Sequence, residues 1–200
     1  MSKLTSPLCV IDTETTGLKP FCNEVIGICI LPLHKNYDIN DDVPAFEAKI
    51  QPENWATVED GALKVNGETR ETLATYPSRK EVIGGLNTWF SEYFSDEYNK
   101  IHVLAHNAPF DKAFLSCMLD PQGKLRDAVG LFTHYRWRCS QASAQFVNDC
   151  SIAKGNGPVF PNLALTRIAK QMAFVNPAPH TALGDCITTA YVYKKLVRAV

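Results

Sequence analysis

What most constrains the fold of this chain is the order in which its hydrophobic periodicity changes. Leu8-Cys9-Val10-Ile11, Val25 to Leu31 and Ala45 to Ile50 are short apolar runs separated by Pro, Gly, Asn and Asp, and each predicts a strand. Residues 58–65 predict a short helix. Ser78-Arg79-Lys80-Glu81 is a capping box opening a stronger one, with Val82, Leu86, Phe90 and Tyr93 on one face. The pattern then alternates. Ile101 to Ala105 predicts a fourth strand, and Pro109 enters a helix with the stripe Phe110, Phe114, Cys117 and Met118. Ala144 to Val147 predicts a fifth strand. Leu165, Ile168, Ala169 and Met172 mark a helix after Pro161-Asn162, and a last helix runs from about 182 to 198. Asp120 to Ser143 has few clear periodicities and reads as a loop or an inserted helix. Consecutive strands followed by alternation predict one α/β domain over residues 1–200, a mixed five-stranded sheet with helices on both faces.

At 200 residues and 46% hydrophobic content, such a domain can bury a core without staples. Its seven Cys are odd in number and contain no C-x-x-C pair, which argues against a disulfide framework or a structural zinc site. Val25 to Leu31 falls far short of a membrane span. The start, Met1 to Pro7, leads directly into a strand with no room for a signal-peptide core, so a cytoplasmic, membrane-free protein is expected. A net charge of -1 lacks the basic excess expected of a protein that coats long nucleic acids; any nucleic-acid contact should span a few nucleotides.

Three acidic clusters stand at the ends of predicted elements. Asp12 and Glu14, two positions apart on an extended chain, project to one face and can share a cation, although a solvated acidic turn would look the same. Gly17, after Thr15 and Thr16, permits a close backbone approach. His106 to Asp111 follows the fourth strand, where α/β sheets place ligand groups. Asp111 there fits equally well as a helix-dipole partner, and Asn107 as an N-cap. His180 and Asp185, five apart, would lie roughly 140° apart on a helix. Pro177 and Pro179 instead keep the chain non-helical up to His180, so the histidine can reach in from a loop and Asp185 from the helix.

Taken together, Asp12-Thr13-Glu14-Thr15-Thr16-Gly17, His106-Asn107-Ala108-Pro109-Phe110-Asp111 and His180-Thr181-Ala182-Leu183-Gly184-Asp185 resemble the three exonuclease motifs of the DEDDh (DnaQ-like) superfamily. The resemblance implies a ribonuclease H-like fold and a 3′-to-5′ exonuclease releasing nucleoside monophosphates from single-stranded 3′ ends, DNA favoured. It implies two divalent ions, Mg²⁺ or Mn²⁺, held by Asp12, Glu14, Asp111 and Asp185. His180 would take a proton from the attacking water. By the same resemblance, groups near Thr15, Thr16 and Gly17 would meet the terminal 3′-OH, Leu18 would wedge against the last base, and Asn107 and Phe110 would contact the strand. Where proofreading-type members often carry His-Gly-Ile-Thr, this chain has Asn66-Gly67-Glu68-Thr69, so no contact is carried over from that loop.

The motifs serve RNA 3′-end trimming or short-oligoribonucleotide degradation equally well. A subunit docking onto a polymerase is the other alternative, expected less because the chain stops at Val200, directly after its last helix. Oligomeric state is not readable from the sequence. Phe132 to Arg138 interleaves basic and aromatic residues, which suits base stacking or a helix with a buried aromatic face. Lys112, Lys154, Arg167 and Lys170 read as a solvated face.

Overall fold

The computed structural model describes residues 7–94 and 100–198; the leader reading, which falls mainly on residues 1–6, lies outside them. A five-stranded sheet has the order β3-β2-β1-β4-β5. Central β1 (Leu8–Thr15) pairs antiparallel with β2 (Val25–Leu33) and parallel with β4 (His102–Ala105). Beyond them lie β3 (Phe46–Lys49), antiparallel to β2, and β5 (Arg138–Cys139), parallel to β4. Among the described residues seven α-helices are interspersed with the strands: α1 (Asp60–Asn66), α2 (Arg70–Leu73) and α3 (Arg79–Tyr93) before β4, α4 (Ala108–Leu119) before β5, and α5 (Ser140–Ala153), α6 (Leu165–Gln171) and α7 (Ala182–Arg198) after it.

Strand alternation sorts the core into two layers. Cys9, Ile11, Ile28 and Val103 pack against Val82 and Leu86 of α3 and Phe114 and Leu115 of α4. Val10, Cys29, Leu31 and Leu104 meet Ala182, Cys186 and Ala190 of α7 on the other face. With both faces covered, every residue of β2 is buried, which is why its sequence is a continuous apolar run. Outside α7, Ala144 of α5 and Ile168 of α6 pack against Val192 and Leu196. No helix among the described residues is long and apolar enough to cross a membrane.

The capping box forms as predicted: the Ser78 hydroxyl accepts from the Glu81 amide, and Glu81 accepts from the Ser78 amide. The α3 face differs in one residue, because Trp89 is buried while Phe90 and Tyr93 only pack partly against the core. One expectation fails. Ala144 to Val147 is not a strand but part of α5, and the fifth strand is Arg138–Cys139. Ser140, Ala144 and Asn148 are buried at four-residue spacing, so the short apolar run belongs to a helical stripe, an ambiguity that periodicity leaves open at this length. Residues 120–143 hold a loop, a 3-10 turn at Val129–Leu131, that short strand and, from Ser140, the start of α5. The first strand also continues through Asp12 to Thr15, so the acidic pair lies within the sheet.

Trp89 ties α3 to the sheet edge. Its ring contacts Phe46 and Phe94 at centroid distances of 5.9 and 4.9 Å, and its indole N–H donates to the Pro44 carbonyl at 3.0 Å. Trp89→Ala should therefore lower stability by about 3–5 kcal/mol, read from the urea midpoint, and Trp89→Phe by less. Equal losses in the two variants would show that ring packing is not the anchor.

Candidate active site

Alternation along β1 gives its acidic residues different neighbours. Val10, Asp12 and Glu14 share the face that packs on α7, and Asp185 stands in the first turn of that helix. One carboxylate oxygen from each of Asp12, Glu14 and Asp185 lies within 4.8 Å of the others. Thr13 points to the opposite face, where its amide and hydroxyl both donate to Asp111 Oδ1 at 3.0 and 2.9 Å. Thus α4, on one side of the sheet, and α7, on the other, each deliver a carboxylate to the end of the same strand.

None of the four carboxylates forms a salt bridge among the described residues. Burial raises the Asp12 carboxyl well above its ordinary range, and Asp111, Asp185 and Glu14 raise it further. Burial likewise brings Asp111 to about 7, against the lowering effect of the Thr13 hydrogen bonds. Glu14 is raised by burial and by Asp185, with Lys49 and His180 opposing. Asp185 is raised by burial, with the Asn176 carboxamide and His180 opposing. A set of oxygen-only donors without its own cation fits hard divalent ions such as Mg²⁺ or Mn²⁺.

His180 sits just outside α7, exposed and with a left-handed backbone (φ 60°), as a loop residue ahead of the helix. The turn around it is tightly packed. The Thr181 hydroxyl accepts from the Gly184 amide at 3.1 Å and donates to the Ala178 carbonyl at 2.8 Å. A Cβ on Gly184 would stand 2.0 Å from that same carbonyl oxygen, so only glycine fits. Asn176 donates to Asp185 Oδ1 at 2.6 Å and accepts from the Ala178 amide at 2.9 Å. Sequence reasoning gave no role to Asn176, Gly184 or Thr13; an Asn before Pro177 and a Gly inside a helix start were the available signals.

His106 is a structural clamp. Its Nε2 meets the Leu163 carbonyl at 3.0 Å, and since a carbonyl only accepts, that nitrogen carries the proton and Nδ1 accepts from the Ser140 hydroxyl at 2.8 Å. Burial lowers its pKa to about 4, so the clamp is neutral.

Of the predicted contact residues, Thr15 and Thr16 are buried, with hydroxyls committed to the Gly17 carbonyl and the Glu24 amide. Gly17 makes its close approach within the protein: a Cβ there would lie 2.4 Å from Asn23 and 2.5 Å from Glu59. Leu18 is 78% exposed beside this turn. Asn107 precedes α4 in a left-handed conformation, and its side chain makes no capping bond. Phe110 is half-buried against Phe114, with ring centroids 4.7 Å apart.

A model of the exonuclease family (RNase_T) matches residues 9–193. The DNA polymerase III subunit epsilon of Pasteurella multocida is 35% identical over 108 residues, covering 53% of this chain and 39% of that protein. The chain thus spans about two fifths of that relative's length. Among solved structures, zinc-bound E. coli ExoI in complex with single-stranded DNA superposes with a TM-score of 0.73 at 16% identity, over 98% of this chain and 41% of the other. A 3′-exonuclease recognising a histone mRNA stem-loop superposes with a TM-score of 0.69 at 17% identity, over 99% and 65%. At these identities the structural likeness is one of fold, the ribonuclease H-like mixed sheet.

The buried acids have a consequence for stability. Asp111 is raised in the fold, so its ionised form is favoured in the unfolded chain, and stability should be lost as pH rises from about 4 through about 7. Metal-free protein should therefore melt lower at pH 8 than at pH 5, and Mg²⁺ or Mn²⁺ should raise the midpoint more at pH 8. Asp111→Asn keeps an acceptor for Thr13 and should recover on the order of a few kcal/mol at pH 8 without metal. A variant less stable than wild type at pH 8 would show that the carboxylate is not under strain.

Proposed function

Because the chain belongs to the exonuclease family, we propose that it is a 3′-to-5′ exonuclease releasing nucleoside monophosphates from single-stranded 3′ ends. The observation that carries this reading is the convergence of Asp12, Glu14 and Asp185 within 4.8 Å, with Asp111 anchored on the intervening Thr13. Asp12, Glu14 and Asp185 would hold one divalent ion, and Asp12 with Asp111 a second. Two such ions, Mg²⁺ or Mn²⁺, supply positive charge against the attacking and leaving oxygens of a phosphodiester.

The residues around them would do the rest. His180, exposed on a loop and close enough to oppose the raised acids Glu14 and Asp185, would accept the proton of the attacking water on a neutral ring nitrogen. The Asn176 carboxamide fixes one oxygen of Asp185 and leaves the other for the ion. Leu18 would stack against the last base, with backbone groups of the Thr15–Gly17 turn meeting the 3′-OH. Asn107 and Phe110 would steady the strand beside it. DNA is favoured because the epsilon relative is a DNA polymerase subunit; the likeness to an enzyme recognising mRNA keeps RNA as the second substrate. Docking onto a polymerase rests on the epsilon similarity alone.

The test is a set of 5′-labelled single-stranded DNA, RNA and duplex substrates with Mg²⁺ or Mn²⁺, expected to give ladders that shorten from the 3′ end. EDTA should abolish them, and a 3′-phosphate should block them. Asp12→Ala should leave almost no turnover in a folded protein. Cleavage in excess chelator, or of circular single strands, would overturn the reading.

His180→Ala should lower kcat by roughly 10²- to 10⁴-fold with a small effect on binding of a single-stranded end. Wild-type rate should rise with pH and level off on the basic side, because the neutral imidazole is the competent form. A near wild-type kcat in the variant from about pH 6 to 9 would leave His180 without this role.

A further inference from the structure

The interleaved segment Phe132 to Arg138 takes no part in the chemistry above, yet it is built as a surface. Ile101 bridges Thr133 and Leu104 pairs with Arg138, so between these points β4 advances three residues while the edge segment advances five. The excess is looped out of the sheet edge, the form in which a bulge re-aims side chains. Tyr135 and Arg136 are exposed at its tip, Tyr135 by 62%.

Their rings and cation form a continuous row of tilted contacts. His102 and His134 lie 4.8 Å apart, His134 and Tyr135 4.5 Å apart, and the Arg136 guanidinium is 5.1 Å from the Tyr135 centroid. The row is held from both ends: the His134 amide donates to the Ile101 carbonyl at 2.8 Å, and the Trp137 indole donates to the Thr133 hydroxyl at 3.2 Å. Lys112, the residue after Asp111, donates to the Tyr135 carbonyl at 3.4 Å. This hydrogen bond links the bulge to α4, the helix that carries Asp111, and sets the Lys112 ammonium at the backbone of the residue whose ring Arg136 covers.

We propose that this bulge is a second nucleic-acid contact, a platform on which Tyr135 and Arg136 stack and pair with bases and phosphates of a single strand, 5′ to the bond cleaved at the carboxylates. A flat ring and a planar guanidinium accept any base face, so the contact favours single strands without reading sequence. Its position relative to the cleaved bond rests on the exonuclease reading; its affinity for a single strand does not.

The experiment compares 5′-fluorescein-labelled dT3 and dT12. Anisotropy, with Ca²⁺ to neutralise the carboxylates, gives affinity; Mg²⁺ gives kcat/KM. Changing Tyr135→Ala and Arg136→Ala together should weaken dT12 binding on the order of tenfold, the scale of losing a stacked base, and move dT3 far less. The slope of log K against log salt should fall by about 0.7, the change expected when one phosphate of a single strand is no longer neutralised. Tyr135→Phe, which keeps the ring, should retain binding. The ratio of kcat/KM for dT12 over dT3 should fall toward one in the double variant. Unchanged dT12 affinity, or equal weakening for both lengths, would overturn the proposal. If wild type cleaves neither length, the exonuclease reading fails while the anisotropy still decides whether the platform exists.

Discussion

Three carboxylates do not bring their oxygens within 4.8 Å of one another by mutual attraction. An ionised pair at that distance repels by roughly 3 kcal/mol at an effective dielectric near 20, and partial burial strengthens the effect. The scaffold must supply the opposing force from packing elsewhere. It does so by using the central strand as a common rail. β1 pairs with β2 from Leu8 to Thr15 and with β4 from Leu8 to Val10, and helices on opposite faces are pinned to it by apolar contacts. Cys186 and Ala190 fix α7 beneath Asp185, while Phe114 and Leu115 fix α4 beneath Asp111. The acids come from elements that are held by other residues, so the site can stay closed while its charges push apart.

The remaining repulsion is moderated by short-range dipoles. Thr13 gives Asp111 two donors and Asn176 gives Asp185 one, each fixing a single oxygen and each counteracting burial. Glycines keep the turns beside the site closed. Gly184 lets the Ala178 carbonyl lie against the start of α7, and Gly17 lets the turn after β1 close onto Asn23 and Glu59. Both turns would open if a methyl group were added, and at Gly184 the Asn176 carboxamide that orients Asp185 would be displaced although every donor and acceptor was still present.

Much of this was legible from the amino-acid order. For Asp12, Glu14 and Asp185 the spacing left a solvated acidic turn equally open, and it was the resemblance of the three motifs to the DEDDh superfamily that singled them out; the structure brings them together. The α/β class and the mixed sheet followed from the change in period. The two-residue β5 was not legible, because its pairing with Leu104 and Ala105 is a tertiary matter and its neighbours resemble a loop. The run Ala144 to Val147 misled because its helical partners, Ser140 and Asn148, are polar residues buried for their hydrogen bonds. Thr13 lacked any local signal of role, and the Asn-Pro step at Asn176 signals only a turn, since each acts through a carboxylate brought to it by the fold.

The placement of Asp185 on the last helix bears on how the protein is made. Synthesis is vectorial, and β1, β2 and β3 are available for pairing early, with Asp12 and Glu14 already in place on one face. Until α7 emerges, that face has no cover over Val10, Cys29 and Leu31, and the carboxylate cluster lacks its third member. The same docking event seals the second core layer and completes the acidic centre. A nascent or truncated chain without α7 therefore has neither cover over this layer nor the three-carboxylate cluster.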